Sequence, residues 1–190
     1  LIANKISKIY GILNGTSNYI LSSMDKENKN FQEVLLTAKK LGYAETNPSA
    51  DLNGDDVSAK LKILSSLCFN SVLSDNIYVE GIKEIDTTDI NNANKLGYKI
   101  KLLGFAELLN NNIYQRVHPT LIKKDSYVAS IDGVLNAVII DGKPVGQSII
   151  QGEGAGPAAT TSALISDISS ILRGNICLLY TSDAADELCR

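Results

Sequence analysis

The 190-residue chain is 44% hydrophobic and 21% charged, with a net charge of -3, the balance of a globular domain large enough to bury a core. It carries no basic stripe for nucleic acid and no apolar run near the ~20 residues that span a bilayer. Cys68, Cys177 and Cys189 fit neither metal-site spacing nor a disulfide framework, and His118 is the single histidine, so no multi-histidine metal centre is expected and a reducing, cytoplasmic setting suits the cysteine usage.

Signal-peptide architecture is missing, and Met24 is the single methionine, so the chain reads as an internal fragment. Ile6 to Leu13 is rich in β-branched residues and ends at Asn14-Gly15, a strand followed by a turn. Thr16 is placed to cap a helix running from Ser17 towards Met24, with a loop from Asp25 to Asn30. Asn30 and Glu33 then stand at capping-box spacing before a helix whose apolar face is Phe31, Val34, Leu35 and Ala38. Gly42 follows where a left-handed C-terminal glycine belongs. A further helix is expected from Asp55 to Phe69, with Val57, Leu61, Leu64 and Cys68 facing a core.

From Ile77 onward short strands dominate: Tyr98 to Leu103, Ile113 to Val117, Tyr127 to Ile131 and Asn136 to Ile140. Asp141-Gly142 is expected to turn the last of these into a strand from Val145 to Ile150. The loop Gly152-Glu153-Gly154-Ala155-Gly156 leads into a helix from Pro157 to Arg173, which Gly174 stops. Helices first and strands later predict an α+β domain, a mixed β-sheet covered by helices on one face. The domain is expected to span residues 1–174. Residues 175–190 resemble a translated sequencing-adapter string and are expected to be a non-native tail.

The run Gly42-Tyr43-Ala44-Glu45-Thr46-Asn47-Pro48-Ser49-Ala50-Asp51-Leu52-Asn53-Gly54-Asp55-Asp56-Val57-Ser58-Ala59-Lys60 concentrates ionisable residues around a proline turn. Ordering such a loop costs entropy that a solvated connection would not require, which marks it as a candidate site. Asp56 and Lys60 lie one helical turn apart. Ile63 and Leu67 continue that stripe along the flank of the apolar face, so Lys60 is expected to be partly buried beside a carboxylate. Spacing alone also fits an exposed ion pair worth about 0.3–0.5 kcal/mol, with Asp51 and Asp55 as helix-start residues and Glu45 as an ordinary loop carboxylate. The loop Gly152 to Gly156 reads GxGxG, which is neither the GxGxxG of a dinucleotide fold nor a P-loop.

Together with Gly11-Ile12-Leu13-Asn14-Gly15-Thr16-Ser17-Asn18-Tyr19, these segments resemble the catalytic domain of homoserine dehydrogenases, in the family's order from Lys5 to about Arg173. The resemblance implies a glyceraldehyde-3-phosphate-dehydrogenase-like C-terminal domain type, NAD- or NADP-dependent interconversion of L-homoserine and L-aspartate 4-semialdehyde in threonine and methionine biosynthesis, and a homodimer formed through the sheet. In that family the lysine matching Lys60 donates the proton to the aldehyde oxygen, and the aspartate matching Asp51 belongs to the same polar cluster. The residues matching Glu45 and Asp56 bind the amino-acid substrate, and the glycines matching Gly42 and Gly156 lie against the nicotinamide cofactor. The Rossmann domain and second active-site lysine of the family are absent from these residues, so the fragment is expected to be inactive alone. Two other readings are weighed. A related semialdehyde dehydrogenase needs a cysteine nucleophile near a histidine, which Cys68 and His118 support poorly. A non-enzymatic amino-acid-binding or assembly domain would leave Lys60 dispensable.

Overall fold

The computed structural model describes residues 4–69 and 77–174. The tail 175–190, with Cys177 and Cys189, lies outside the described residues. The chain divides into two units after Gly154.

The first unit is built on a mixed sheet, as the order of elements predicts. Its central strand is β1 (Lys5–Ile12), flanked by β3 (Tyr98–Leu109) and β5 (Leu135–Lys143). Outside these lie β4 (Asn112–Lys123) with the short edge strand β2 (Tyr78–Val79), and β6 (Gly146–Glu153) at the other edge. All neighbours are antiparallel except β2 and β4. β3 and β4 form one long hairpin through Asn110 and Asn111, both at positive φ (50° and 63°), the left-handed pair that a two-residue turn matching strand twist requires. The two shorter strands expected here, Tyr98 to Leu103 and Ile113 to Val117, are the first halves of its two arms.

Among the described residues, five α-helices accompany the sheet in this unit: α1 (Gly15–Glu27), α2 (Phe31–Lys40), the one-turn α3 (Ser49–Asn53), α4 (Asp55–Phe69) and α5 (Thr87–Lys95). The capping box of α2 and the span of α4 are as expected. α5 is unanticipated, although Asp86 and Asp89 form a reciprocal capping box at its start. Ile9 of β1, Leu13 just after it, Leu102 and Ala106 of β3, and Val117 of β4 pack with Ile20, Leu21 and Met24 of α1, Val34 of α2, and Val57 and Leu61 of α4. Cys68 packs against this core from its edge. The opposite face holds a smaller cluster of Ile12, Leu103, Ile139, Val128 and Ile131.

Three expectations are corrected. Asn14, not Thr16, caps α1, and the helix continues to Glu27, where Asn28 in the left-handed region ends it. Tyr127–Ser130 is a 3-10 turn instead of a strand, because the Ser126 side chain caps it and Val128 and Ala129 turn into the core. The hairpin after β5 turns at Lys143–Val145. Asp141 and Gly142 stay paired with Gln147 and Gly146, Asp141 is held by Lys8 at 2.7 Å, and Pro144, which has no N–H to give a ladder, sits in the turn.

Glycine is required where β1 meets β5. A Cβ on Gly11 would lie 2.0 Å from the Ala137 carbonyl oxygen, closer than any side chain can approach.

The second unit contains α6 (Pro157–Leu172), with proline in its first turn and Gly174 beyond its end at φ 75°. Leu164, Ile165, Ile168 and Ile171 are exposed along it.

Candidate active site

The site forms where β1 ends and α1 begins. The side-chain oxygen of Asn14 accepts the Ser17 N–H at 2.8 Å, which caps α1 and fixes the plane of the amide. The amide nitrogen then donates to Asp51 Oδ1 at 2.7 Å and Asp56 Oδ2 at 2.9 Å. Asp51 stands on α3 and Asp56 on α4. Gly54 joins the two helices at φ 88°, a left-handed turn between them, and both acids reach one amide.

Lys60, one turn along α4, donates to Asp56 Oδ2 at 2.8 Å and to the Leu13 carbonyl oxygen at 3.1 Å. Three elements thus converge on one polar cluster. An ammonium has three protons, and the described residues accept two of them. Asp51 Oδ2 and Asp56 Oδ1 likewise accept nothing from the described residues. The cluster therefore offers one N–H and two carboxylate oxygens to a ligand that is both cationic and carbonyl-bearing.

Lys60 is more open than the stripe argument predicts. Its side chain is 46% exposed and that of Asp56 29%, and Ile63 and Leu67 beyond it are also exposed. The α4 face that packs inward is Val57, Leu61, Leu64 and Cys68, and the lysine stripe lies outside it.

Glu45 is not part of the bonded cluster. It sits on the exposed connection between α2 and α3 and makes no hydrogen bond or ion pair with the described residues. Its loop is nonetheless pinned beside the start of α1. Thr16 Oγ1 donates to the Tyr43 carbonyl at 2.8 Å, Lys39 Nζ donates to the Thr46 carbonyl at 3.0 Å, and the Tyr19 and Tyr43 rings lie 4.9 Å apart. That is where the hydroxyl expected to cap α1 is used. Gly42 follows α2 at φ 76°, and Gly156, in the second unit, precedes α6 at φ 111°. A Cβ on either would meet nothing within 4 Å.

Asn14 is a site residue not expected from the sequence, where its signal is only the asparagine of a strand-to-turn Asn-Gly. Cys68 is half-buried, and burial pushes its thiol up, the reverse of an activated nucleophile. His118, on β4, engages its own neighbours Pro119 and Thr120. The described residues contain no metal-binding group of three or more His, Cys, Asp or Glu, and no described helix is long and apolar enough to cross a membrane.

Residues 1–169 match the homoserine dehydrogenase family. A homoserine dehydrogenase of Neisseria gonorrhoeae is 45% identical over 174 residues, which cover 91% of this chain and 40% of that protein. The crystal structure of a homoserine dehydrogenase from Thiobacillus denitrificans superposes with a TM-score of 0.89 at 44% identity, over 91% of this chain and 40% of that one. A hyperthermophilic archaeal homoserine dehydrogenase mutant, solved in complex with NADPH, matches at 28% identity and a TM-score of 0.74, over 90% of this chain and 48% of that one. The chain thus spans about 40% of the length of the curated relatives it matches.

Proposed function

The chain belongs to the homoserine dehydrogenase family, and from that premise we propose that it is the substrate-binding and catalytic part of an enzyme interconverting L-homoserine and L-aspartate 4-semialdehyde with NAD or NADP. The observation that carries this reading is the Lys60 ammonium, held by Asp56 and the Leu13 carbonyl with one N–H to spare.

Reduction of the aldehyde builds negative charge on its oxygen. In this reading Lys60 donates a hydrogen bond to that oxygen and then its proton, completing the alcohol as hydride reaches the carbon. Asp56 and the Leu13 carbonyl fix the ammonium so that the spare N–H has one direction. Asp51, locked to the same amide as Asp56, keeps the acidic pair in register, and the free oxygens of the pair together with Glu45 receive the substrate's α-ammonium group. In the oxidative direction Lys60 takes the proton back.

The nicotinamide supplies the hydride. Gly42 suits close approach of a flat ring because it presents bare backbone with open space where a Cβ would stand; Gly156, in the second unit, is assigned to the cofactor by the family resemblance alone. Cytoplasmic location and a homodimer belong to the same proposal. The latter is supported by the side of the sheet away from the main core, where Tyr10, Phe105 and Arg116 stack in one row, Arg116 lying 4.1 Å from the Phe105 ring centroid.

The test is to graft this chain in place of the matching part of the Neisseria relative, which spans 40% of that protein. The chimaera is expected to oxidise homoserine with NAD or NADP. The 190 residues alone are expected to show no turnover, because hydride donor and aldehyde must be held together at near-attack distance. Robust activity from the 190 residues, or none from the chimaera, contradicts the reading.

Glu45→Gln and Asp56→Asn in the chimaera are expected to raise the KM for homoserine. A short aldehyde lacking the amino group should be affected far less. Equal losses on both substrates would show that these carboxylates serve structure and not ammonium recognition.

A further inference from the structure

Lys101 lies on β3 with its side chain 1% exposed, and nothing in the chemistry above touches it. Its ammonium shares three protons among Ile131 O at 2.7 Å, Asp132 Oδ1 at 2.8 Å, Asn18 Oδ1 at 3.0 Å and Ser22 Oγ at 3.2 Å. β1 pairs with β3 only from Gly104 to Glu107, so beyond the end of β1 this side of β3 has no strand partner. The second turn of α1 and the segment 131–135 fill that space.

Asn18 joins them. Its amide nitrogen donates to Ile131 O and Leu135 O, both at 3.1 Å, while its oxygen accepts a hydrogen bond from the Lys101 ammonium. Its backbone N–H closes the first turn of α1 on the Asn14 carbonyl at 3.3 Å. Gly15 rests on the same segment, since a Cβ there would lie 2.7 Å from Val134 O. Asn14 and Asn18 are one turn apart on α1, one gripping the acids and the other gripping β3 and residues 131–135. The plane of the Asn14 amide is set by its cap bond to α1, so it turns with the helix start.

We propose that Lys101 is a positioning residue for the Asn14–Asp51–Asp56–Lys60 cluster, acting through Asn18 and the first turn of α1. The kinetic arm of its test rests on the functional reading above, and the structural arm does not.

In the Neisseria chimaera, Lys101→Met and Asn18→Ser are each expected to lower kcat/KM for homoserine on the order of 10–100-fold, the scale of a small misplacement of catalytic groups. The KM for the nucleotide should not change. In an Asn14→Ala background neither should cost more than about twofold further, because the link they act through is already cut. Losses that multiply with Asn14→Ala would mean that Lys101 acts on stability alone and would overturn the proposal, as would normal kcat/KM in folded Asn18→Ser. If Lys101→Met does not fold, Asn18→Ser carries the test, since it leaves the Lys101–Asp132 pair in place. If the chimaera has no homoserine activity, the functional reading has failed by itself, and a crystal structure of Asn18→Ser decides. An Asn14 amide displaced from Asp51 or Asp56 is the expected result, and an amide still bonded to both overturns the proposal.

Discussion

Replacing Lys60 with alanine in the chimaeric enzyme is expected to cost about 10²–10⁴ in kcat, the usual loss on removing a positioned general acid, while leaving the fold intact. The two halves of that expectation come from one observation. Lys60 is 46% exposed and, among the described residues, bonds to Asp56 and the Leu13 carbonyl, so its ion pair belongs to the class worth about 0–1 kcal/mol. Asp56 keeps its bond from Asn14 in the variant, and neither carboxylate is left buried without a partner. Loss of kcat and kcat/KM together would mark a contact that strengthens in the transition state. Near-normal turnover with an unchanged melting curve would remove Lys60 from the chemistry.

A much larger structural loss is expected for Asp132→Asn, on the order of 3–5 kcal/mol, as when one member of a buried ion pair is removed. Asp132 accepts from Lys101 at 2.8 Å and Lys26 at 3.0 Å, with Lys99 at 3.4 Å, and only 17% of its side chain is exposed. Burial pulls its carboxyl upward, yet hydrogen bonds and charge from Lys101, Lys26 and Lys99 hold it well below the ordinary carboxylate range. For Lys101 burial pulls the ammonium down, and the bond to Asp132 opposes it. The sign for Asp132 follows from linkage. A carboxyl that holds its proton less tightly in the folded state makes stability rise with pH, so its contribution is complete above the unfolded value of about 3.9 and is lost as the pH falls below it. Denaturant midpoints of parent and variant should therefore differ most near neutrality and converge on acidification. Equal midpoints at pH 7 would show that the pair contributes nothing.

The features read correctly from the sequence are those that short-range chemistry decides. Asn30 and Glu33 form their capping box, α4 starts and stops where its apolar period does, and Asp56 meets Lys60 because four residues make one turn. What was misread depends on partners far along the chain. Asn14 and Thr16 are both good capping residues, and the choice is made by the Tyr43 carbonyl, which takes the threonine hydroxyl. The Asn14 amide finds its acids 37 and 42 residues away. Lys101 drew no reading from the sequence, and its burial depends on the early end of β1, which leaves that side of β3 to α1 and residues 131–135. Tyr127–Ile131 has strand-forming residues, yet local capping by Ser126 and burial of Val128 and Ala129 prevail.

The order of the elements also orders the birth of the protein. Every member of the Asn14–Asp51–Asp56–Lys60 cluster has been synthesised once α4 is complete, but the Lys101 clamp that holds α1 reaches 83 residues along the chain to Asn18 and also needs Ile131 and Asp132. At about 5–20 residues per second, a nascent chain carries the whole set of polar groups for several seconds before the brace that aligns them exists. β5 is absent throughout that interval, and β3 until residue 109 has been added. Competence to bind is thus acquired late, after the β3–β4 hairpin and with the segment that carries Ile131 and Asp132, so that a chain stalled before residue 132 holds the chemistry without its brace.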